Sequence, residues 1–280
     1  MKKIGAVVNL HKNCCVAERL NTLRANGFAC CQLVVWDTSL YTDEMAEAIR
    51  AAVAESGIEV STLWCGWSGP TEWNFTGGPV TLGLVPATYR AARAEELIAG
   101  AHFAAKIGVS RMATHVGFLP ENMTDPAFPE VIAVLRYVIG ACKQLGIHFL
   151  FETGQETPVT LLRVIEELGM DNVGINMDTA NLILYGKGNS ADAISVFGKY
   201  VMDTHIKDGF YPTCGRELGR EVKVGEGLAN LPEVMRRLDA VGYQGNYIIE
   251  REIEGEQQTK DMCETRDLLL SLLKKEEAGC

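Results

Sequence analysis

Short apolar runs alternate with helix-like segments along the whole chain, and this alternation limits the folds available to it. The runs are continuously apolar, as in strands that are buried on both faces of a parallel sheet. We predict eight strands, at residues 4–10, 31–36, 59–65, 111–115, 147–151, 173–177, 201–206 and 246–249. Eight strand–helix units favour a closed (β/α)8 TIM barrel of the α/β class. An open doubly wound sheet is the alternative, although such sheets usually have fewer strands.

Helix-like segments separate the predicted strands, and most of them end at a glycine, which tolerates the left-handed conformation just past a helix end. We predict helices at residues 16–26, 43–55, 87–106, 128–144, 158–168, 190–197, 231–241 and 259–273. Residues 66–85 and 209–226 are predicted to be long irregular loops. Because no linker or shift in composition divides the chain, residues 1–280 are predicted to form a single domain.

Composition argues against several classes of function. The chain of 280 residues has a formal net charge of −10, which disfavours binding to nucleic acid because that requires a basic face. No apolar run reaches the length of a membrane span. The nine cysteines show neither a CxxC motif nor the spacing of a zinc site, and the first residues lack the apolar segment of a signal peptide. We therefore expect reduced thiols and a cytoplasmic location.

Polar residues stand at the ends of four consecutive predicted strands, where barrel enzymes place their chemistry. They are Glu152, Asp178, His205 and Glu250. Each alone is typical of a helix cap, an ion pair or a structural histidine. Together, three carboxylates at one barrel mouth repel one another, and a divalent cation removes that repulsion. Three oxygen ligands and one imidazole suit Mn²⁺, Mg²⁺ or Co²⁺ better than a closed zinc site, so we predict one divalent ion, Mn²⁺ first and Zn²⁺ as a further alternative.

Further residues near the predicted strand ends are candidates for contact with a substrate. They are His115, Gln155, Asn181, Trp64, Lys207 and Arg216. Alternatively, His115 is structural and Gln155 caps a turn. Lys207 and the adjacent Asp208 are otherwise interpreted as a surface ion pair.

Two groups of side chains bear on the kind of substrate. An aromatic group lies at or after predicted strands 2 and 3, and comprises Trp36, Trp64, Trp67, Trp73 and Phe75. These rings either pack on the apolar face of a sugar or form a small core of the loop. A basic group lies in the loop at 209–226, and comprises Arg216, Arg220 and Lys223. Its members either bind a phosphate or carboxylate or face solvent.

Five segments carry a resemblance to a known family. They are FETG around Glu152, NMDTAN around Asp178, DTHIKDG around His205, VGEG at 224–227 and YIIERE around Glu250. In this order, and over nearly the whole chain, they resemble the xylose-isomerase-like superfamily of sugar isomerases and epimerases. That group includes ketose 3-epimerases, hydroxypyruvate isomerases, inosose-processing enzymes and, more distantly, apurinic endonucleases of the endonuclease IV type.

The resemblance implies a mechanism as well as a ligand set. Glu152, Asp178, His205 and Glu250 are expected to bind one divalent metal, and the two glutamates to serve as acid and base. In the implied reaction the metal holds the carbonyl and neighbouring hydroxyl of an α-hydroxy ketone and stabilises the enediolate. Return of the proton to the opposite face gives an epimer, and return to the adjacent carbon gives an isomer. We expect the partly dry mouth to raise the pKa of the base.

Two positions depart from the family pattern. Members often carry Asp-x-x-His on strand 6, but here Asn181 holds the fourth position, and Trp64 stands where strand 3 can offer a ligand. The loop after His205 also lacks Asp-x-His. Because the endonucleases use additional histidines for extra zinc ions, these departures argue against a trinuclear DNA-repair site. Asn181 is expected instead to hydrogen-bond a substrate hydroxyl.

The residues and the resemblance together predict a metal-dependent isomerase or epimerase of a sugar or keto-sugar, phosphorylated or not. The alternative is a lyase or dehydratase that uses the same metal centre on a keto-sugar or an inosose-like compound. A non-catalytic sugar-binding barrel is a third interpretation, and the presence of both Glu152 and Glu250 argues against it. The resemblance also implies a homo-oligomer, either a dimer or a tetramer, whereas the net charge and the lack of a long apolar run predict no nucleic-acid or membrane partner.

Overall fold

The computed structural model describes residues 2–278, with side chains described for residues 2–274. Its strands are β1 Ile4–Leu10, β2 Cys30–Val35, β3 Glu59–Cys65, β4 Arg111–Thr114, β5 His148–Glu152, β6 Val173–Asp178, β7 Val201–Ile206, β8 Asp208–Phe210, β9 Arg220–Val222 and β10 Tyr247–Ile249. Eight of them close into a parallel barrel in the order β1-β10-β7-β6-β5-β4-β3-β2. The predicted (β/α)8 barrel is confirmed, and the open doubly wound sheet is wrong.

Helices follow the barrel strands and cover their outer faces. They are α1 Val16–Ala25, α2 Asp43–Ser56, α3 Gly78–Thr81, α4 Ala87–Lys106, α5 Ala127–Gln144, α6 Pro158–Leu168, α7 Asn181–Leu184, α8 Ser190–Phe197, α9 Leu231–Ala240 and α10 Glu256–Ala278. Local chemistry sets their ends: the Thr157 hydroxyl accepts the Thr160 N–H at the start of α6, and Gly169 ends that helix with φ 61°. Within residues 2–278, no helix combines the length and apolarity that crossing a membrane requires.

The structure differs from the sequence predictions mainly in the loops. The segment predicted as irregular at 66–85 contains the single turn α3, and the one at 209–226 contains the antiparallel hairpin of β8 and β9. The short helix α7 was not predicted. It forms because the Asp178 carboxylate accepts the N–H groups of Ala180 and Asn181 and so caps the turn. These elements are too short for hydrophobic periodicity to reveal.

The apolar core lies mainly between the strands and the helices, whereas the barrel interior is partly polar. Inside the barrel, Asp203 accepts hydrogen bonds from the hydroxyls of Ser61 and Thr62, each at 2.7 Å. Asp203 is fully buried, and these hydrogen bonds offset the cost of placing a carboxylate there. The interior therefore provides a rigid polar floor beneath the barrel mouth.

Strand register brings the predicted ligand positions to one end of the barrel. Asp178 on β6 pairs with His205 on β7, and His205 pairs with Ile248 on β10. Paired residues of parallel strands point to the same face, and side chains alternate along a strand. Glu250, two residues after Ile248, therefore points to the same face as His205. Glu152 ends β5 beside Asn176 of β6.

Candidate active site

Four side chains from four neighbouring strands meet at the carboxyl end of the barrel. Glu152, Asp178, His205 and Glu250 each offer one ligand atom, and these atoms all lie within 4.8 Å of one another. The first three are buried, and Glu250 is partly accessible at the mouth. We call these four residues the carboxylate–histidine cluster. Its geometry suits a single cation that several ligands hold at once.

His205 is held by hydrogen bonds on both ring nitrogens. Nδ1 lies 2.9 Å from Glu152 Oε1 and 3.4 Å from Glu250 Oε2. Nε2 lies 2.8 Å from Gln32 Oε1, and the amide of Gln32 in turn donates to Asn176 Oδ1 at 2.8 Å. In this arrangement Nε2 carries a hydrogen and donates to Gln32, so Nδ1 is the nitrogen that faces the carboxylates.

Gln32 was not predicted from the sequence, although a signal was present. It is the one strongly polar residue in the apolar strand CCQLVV, and it is fully buried. A buried amide in such a strand requires partners. Its partners lie on β6 and β7, across the barrel from β2, and only barrel closure brings those strands within reach.

Lys207 is buried among carboxylates rather than lying on the surface. Its Nζ is 3.1 Å from Asp178 Oδ2, 2.9 Å from Glu250 Oε2 and 2.7 Å from Glu252 Oε1. Only 2% of its side chain is exposed. Burial opposes the charged form, but these carboxylates outweigh it and hold the pKa of Lys207 well above its usual value. The interpretation of Lys207 as a surface ion pair is therefore wrong.

Burial raises the pKa values of the carboxylates, whereas the positive charges of Lys207 and His205 lower them. Burial raises the pKa of Asp178 to about 7. Burial acts on Glu250 as well, but Lys207 and His205 outweigh it and hold its pKa well below the usual value. For Glu152 the two histidines, His115 and His205, likewise outweigh burial and lower the pKa. The expected rise in the pKa of a glutamate base is wrong, because that expectation left out the neighbouring histidines and Lys207.

The donor set of the carboxylate–histidine cluster fits a divalent cation. Asp178 uses Oδ1 to accept two backbone N–H groups, whereas its buried Oδ2 makes no hydrogen bond of good geometry, although Lys207 Nζ is nearby. A buried acceptor without a donor is costly. Three carboxylates with one imidazole are ligands that Mn²⁺ and Mg²⁺ accept. Glu152, Asp178, His205 and Glu250 would hold the ion, and its binding would displace a proton from His205.

Other predicted contact residues surround Glu152. The indole of Trp64 donates to Glu152 Oε2, and the amide of Asn181 lies 3.5 Å from Oε1. His115 Nε2 lies 3.7 Å from the same oxygen, and burial lowers the pKa of this histidine. Trp64 and Asn181 thus fix the position of the carboxylate from two sides.

A cavity of about 360 Å³ opens above the carboxylate–histidine cluster. It is lined by Asn9, Val34, Trp36, Trp64, Trp73, His115, Glu152, Asn181, Leu184, Tyr185, His205, Lys207, Leu218, Glu250 and Glu252. Gln155, predicted to touch the substrate, is buried and lies outside this lining. Among the described residues, no arginine lines the cavity.

The basic side chains of the 209–226 loop point away from the cavity. Arg216 is exposed, Arg220 packs over the Phe210 ring at 5.3 Å, and Lys223 pairs with Glu264. None of these three lines the cavity. The prediction that Arg216 contacts the substrate does not agree with this placement, because Arg216 is exposed and outside the lining, whereas Leu218 in the same turn lines the cavity.

Asp208 anchors the loop that follows β7. Its carboxylate accepts four backbone N–H groups at 2.8–3.0 Å, from Gly209, Gly225, Gly227 and Ala229. A Cβ at Gly227 would lie 2.3 Å from Asp208 Oδ1, so the VGEG segment needs glycine there. The interpretation of Asp208 as a surface ion-pair partner is therefore wrong.

Comparison with known proteins places the chain in a family. A family model described as "Xylose isomerase-like TIM barrel" matches residues 20–272. The chain belongs to this family. A xylose isomerase domain protein from Planctomyces limnophilus is 31% identical, with a TM-score of 0.92 over 100% of this chain and 99% of that one.

Solved structures of lower sequence identity share the fold, and one further protein matches part of the sequence. The 3-keto-D-glucoside 4-epimerase of E. coli is 17% identical with a TM-score of 0.74, over 97% of this chain and all of that one. A probable 3-DHS dehydratase from Bacillus anthracis is 15% identical with a TM-score of 0.66, over 95% and 98% of the two chains. An uncharacterised protein of Methanocaldococcus jannaschii is 23% identical over 150 residues, which is half of each chain.

Proposed function

We propose that this protein is a divalent-metal-dependent isomerase or epimerase of a sugar or keto-sugar, acting as one catalytic domain over residues 1–280. The observation that carries the proposal is the convergence of Glu152, Asp178, His205 and Glu250 beneath an open cavity. An epimerase of a keto-glucoside with the same fold supports it. A divalent ion held by these four residues, which we take to be Mn²⁺ or Mg²⁺, would supply Lewis acidity to the substrate carbonyl.

Glu152 and Glu250 are the proposed proton carriers. Both have lowered pKa values, so both are ionised near neutral pH and are able to accept a proton. Both carboxylates approach His205 Nδ1, Glu152 at 2.9 Å and Glu250 at 3.4 Å. One ionised carboxylate removes the proton next to the carbonyl, and the other takes up a proton from solvent before it delivers that proton to the product. Asn181 and Trp64 hold Glu152 in place, and Lys207 does the same for Glu250.

The cavity favours an uncharged substrate over a sugar phosphate. Lys207 lines the cavity, but its ammonium already contacts the carboxylates of Asp178, Glu250 and Glu252 rather than being free to bind an anion. Among the described residues, no arginine reaches the cavity to bind an anion. The sequence left open whether the substrate is phosphorylated, and the lining of the cavity favours a neutral sugar or keto-sugar.

A lyase or dehydratase that uses the same residues is the second candidate. Removal of a proton next to a carbonyl also prepares loss of a leaving group from the next carbon, so the same base serves both outcomes. The probable 3-DHS dehydratase on the same fold supports this alternative. Product analysis separates the two, because elimination changes the substrate's mass and epimerisation does not.

The proposal is tested by incubating neutral ketoses and keto-glucosides with the Mg²⁺-loaded protein in D₂O and measuring deuterium uptake by mass spectrometry. We expect one deuterium at the carbon next to the carbonyl, and a loss of at least about a hundredfold in rate for Glu152→Gln. Glu130→Gln, in an exposed pair with Arg90, is the matched control and should exchange at the wild-type rate. Equal exchange by Glu152→Gln, or full exchange after thorough chelation, contradicts the proposal.

A further inference from the structure

The four tryptophans of the chain cluster around Trp36, at one side of the cavity. The ring centroid of Trp36 is 4.7 Å from that of Trp64, 5.4 Å from that of Trp67 and 6.1 Å from that of Trp73. Three of the four line the cavity, and Trp67 lies behind them. We call Trp36, Trp64 and Trp73 the tryptophan wall.

The tryptophan wall runs from the catalytic glutamate to solvent. At its inner end Trp64 donates a hydrogen bond to Glu152 and is only 4% exposed. At its outer end Trp36 and Trp73 are 38% and 39% exposed. The wall therefore continues outward well beyond the place where a reacting sugar ring meets Glu152.

The outer tryptophans are held in place although their faces are open. The ring of Trp36 lies against the backbone at Gly66, where a Cβ would be 2.6 Å from its Cε3 atom. The ring of Trp73 contacts that of His115, with centroids 5.2 Å apart. Tryptophans that only filled a loop core would be buried, as Trp67 is beneath the guanidinium of Arg93. Rigid, half-exposed aromatic faces are typical of binding surfaces.

An apolar surface faces the tryptophan wall from the other side of the mouth. Leu184 lies in α7 after β6, and Leu218 lies between β8 and β9, after β7. In the barrel order β6 and β7 lie opposite β2 and β3, from which the tryptophans come. Glu152, Glu250 and Lys207 line the inner end, and the more exposed Glu252 pairs with Lys207 at 2.7 Å. The outer part thus offers a slot between apolar surfaces, suited to a flat uncharged ring.

We propose that the outer half of the cavity is a subsite for a second ring, so that the substrate is a keto-sugar in glycosidic linkage rather than a free ketose. The aglycone, an uncharged ring with a flat apolar face, lies against Trp36 and Trp73. The keto-sugar lies inward, over Glu152 and Glu250. The assignment of a glycosidic substrate rests on the proposed function of the inner end. Binding of the second ring to the tryptophan wall, however, does not require turnover.

The test compares two unreactive probes, phenyl β-D-glucoside and methyl β-D-glucoside, by calorimetric titration of the Mg²⁺-loaded protein. We expect the phenyl glucoside to bind roughly tenfold more tightly, because its ring stacks on the wall. Trp36→Leu and Trp73→Leu should each remove most of this preference. Both side chains are half exposed, and circular dichroism verifies that the variants fold. Tyr137→Leu, which removes an exposed ring on α5 outside the cavity, is the matched control and should keep the preference.

The subsite is overturned if the two glucosides bind equally, or if the preference survives in both tryptophan variants. It is also overturned if these variants lose self-association on size-exclusion chromatography while the ligand preference is unchanged, since the wall would then contact a second copy of the chain. A phenyl preference without deuterium exchange of any keto-sugar leaves the subsite standing and contradicts the proposed function. Deuterium exchange of free ketoses without a phenyl preference contradicts the subsite and leaves the proposed function standing.

Discussion

At the scale of single residues, the contact between Gln32 and His205 explains how one nitrogen of a buried histidine is directed at the carboxylates of Glu152 and Glu250. The amide oxygen accepts from Nε2, and the amide nitrogen is committed to Asn176, so the orientation of Gln32 is fixed. A ligating histidine usually donates its second N–H to such an acceptor, which fixes the tautomer. Gln32 is therefore a positioning residue for the proposed metal centre.

Replacement of Gln32 tests this role through metal affinity. Gln32→Met keeps the length of the side chain but removes the acceptor, so we expect Mg²⁺ and Mn²⁺ to bind about 10- to 100-fold more weakly. Calorimetric titration of the metal-depleted variant measures the change. Ser61→Ala removes another buried hydrogen bond in the barrel, to Asp203, and should leave the affinity unchanged. Unaltered affinity in Gln32→Met shows that the contact does not position His205.

Glu156 makes stability depend on pH. It is buried, one of its oxygens has no hydrogen bond, and burial raises its pKa to about 7 from an ordinary value of 4.5. Between these values the folded protein keeps a proton that the unfolded chain has released. The free energy of unfolding therefore falls as the pH rises through this window, by about 3 kcal/mol in total.

Glu156→Gln should remove this part of the pH dependence, because the amide does not titrate. We expect the variant to be more stable than the wild type at pH 7.5 and similar to it at pH 5, as measured by urea unfolding. Glu167→Gln, on the surface near the end of α6, should follow the wild-type profile. If Glu156→Gln shows the wild-type pH profile, Glu156 is already charged in the folded protein below pH 7.

At the scale of elements, the long segment between β7 and α9 is organised around one carboxylate. Asp208 binds the backbone at both ends of the VGEG turn, and the hairpin of β8 and β9 brings Leu218 to the cavity. Arg251, just after β10, joins this hairpin to the barrel through Glu221 at 2.7 Å. The segment is therefore a fixed wall of the site despite its irregular path.

Asp208→Asn should loosen this segment without changing its bulk. An amide offers one acceptor oxygen in place of two, and its NH₂ group faces backbone donors, so we expect a loss of roughly 3 kcal/mol in the free energy of unfolding. Urea unfolding measures the loss, and limited proteolysis shows whether cleavage begins within 209–229. Asp239→Asn, at an exposed ion pair with Lys2, should cost less than about 1 kcal/mol. A cost that small for Asp208→Asn contradicts the anchoring role.

Sequence patterns predicted the long elements well because burial on two faces and helix-ending glycines leave strong signals. The strand Glu59–Cys65 and the helix Pro158–Leu168 have the bounds predicted for them. Single-turn and three-residue elements were missed, since their formation depends on individual capping groups such as Asp178 and on pairing across a loop. The final helix is longer than predicted, Glu256–Ala278 rather than 259–273.

At the scale of the whole molecule, barrel closure decides which polar residues meet. The order of strand ends along the chain was enough to predict that Glu152, Asp178, His205 and Glu250 share one mouth. Contacts across the barrel were not predictable in this way, because they join distant strands: Gln32 reaches His205, and the tryptophan wall faces Leu218. The direction of the Glu250 pKa shift depends on the buried Lys207, whose position requires the fold.

We propose that the carboxylate–histidine cluster holds one divalent cation, and titration of the metal-depleted protein with Mn²⁺ tests this directly. We expect one ion per chain in the wild type. We expect the affinity to be weakened by more than about a hundredfold in Asp178→Asn, which loses a buried ligand charge. A wild-type protein that binds no ion, or an Asp178→Asn variant that binds it equally well, contradicts the claim.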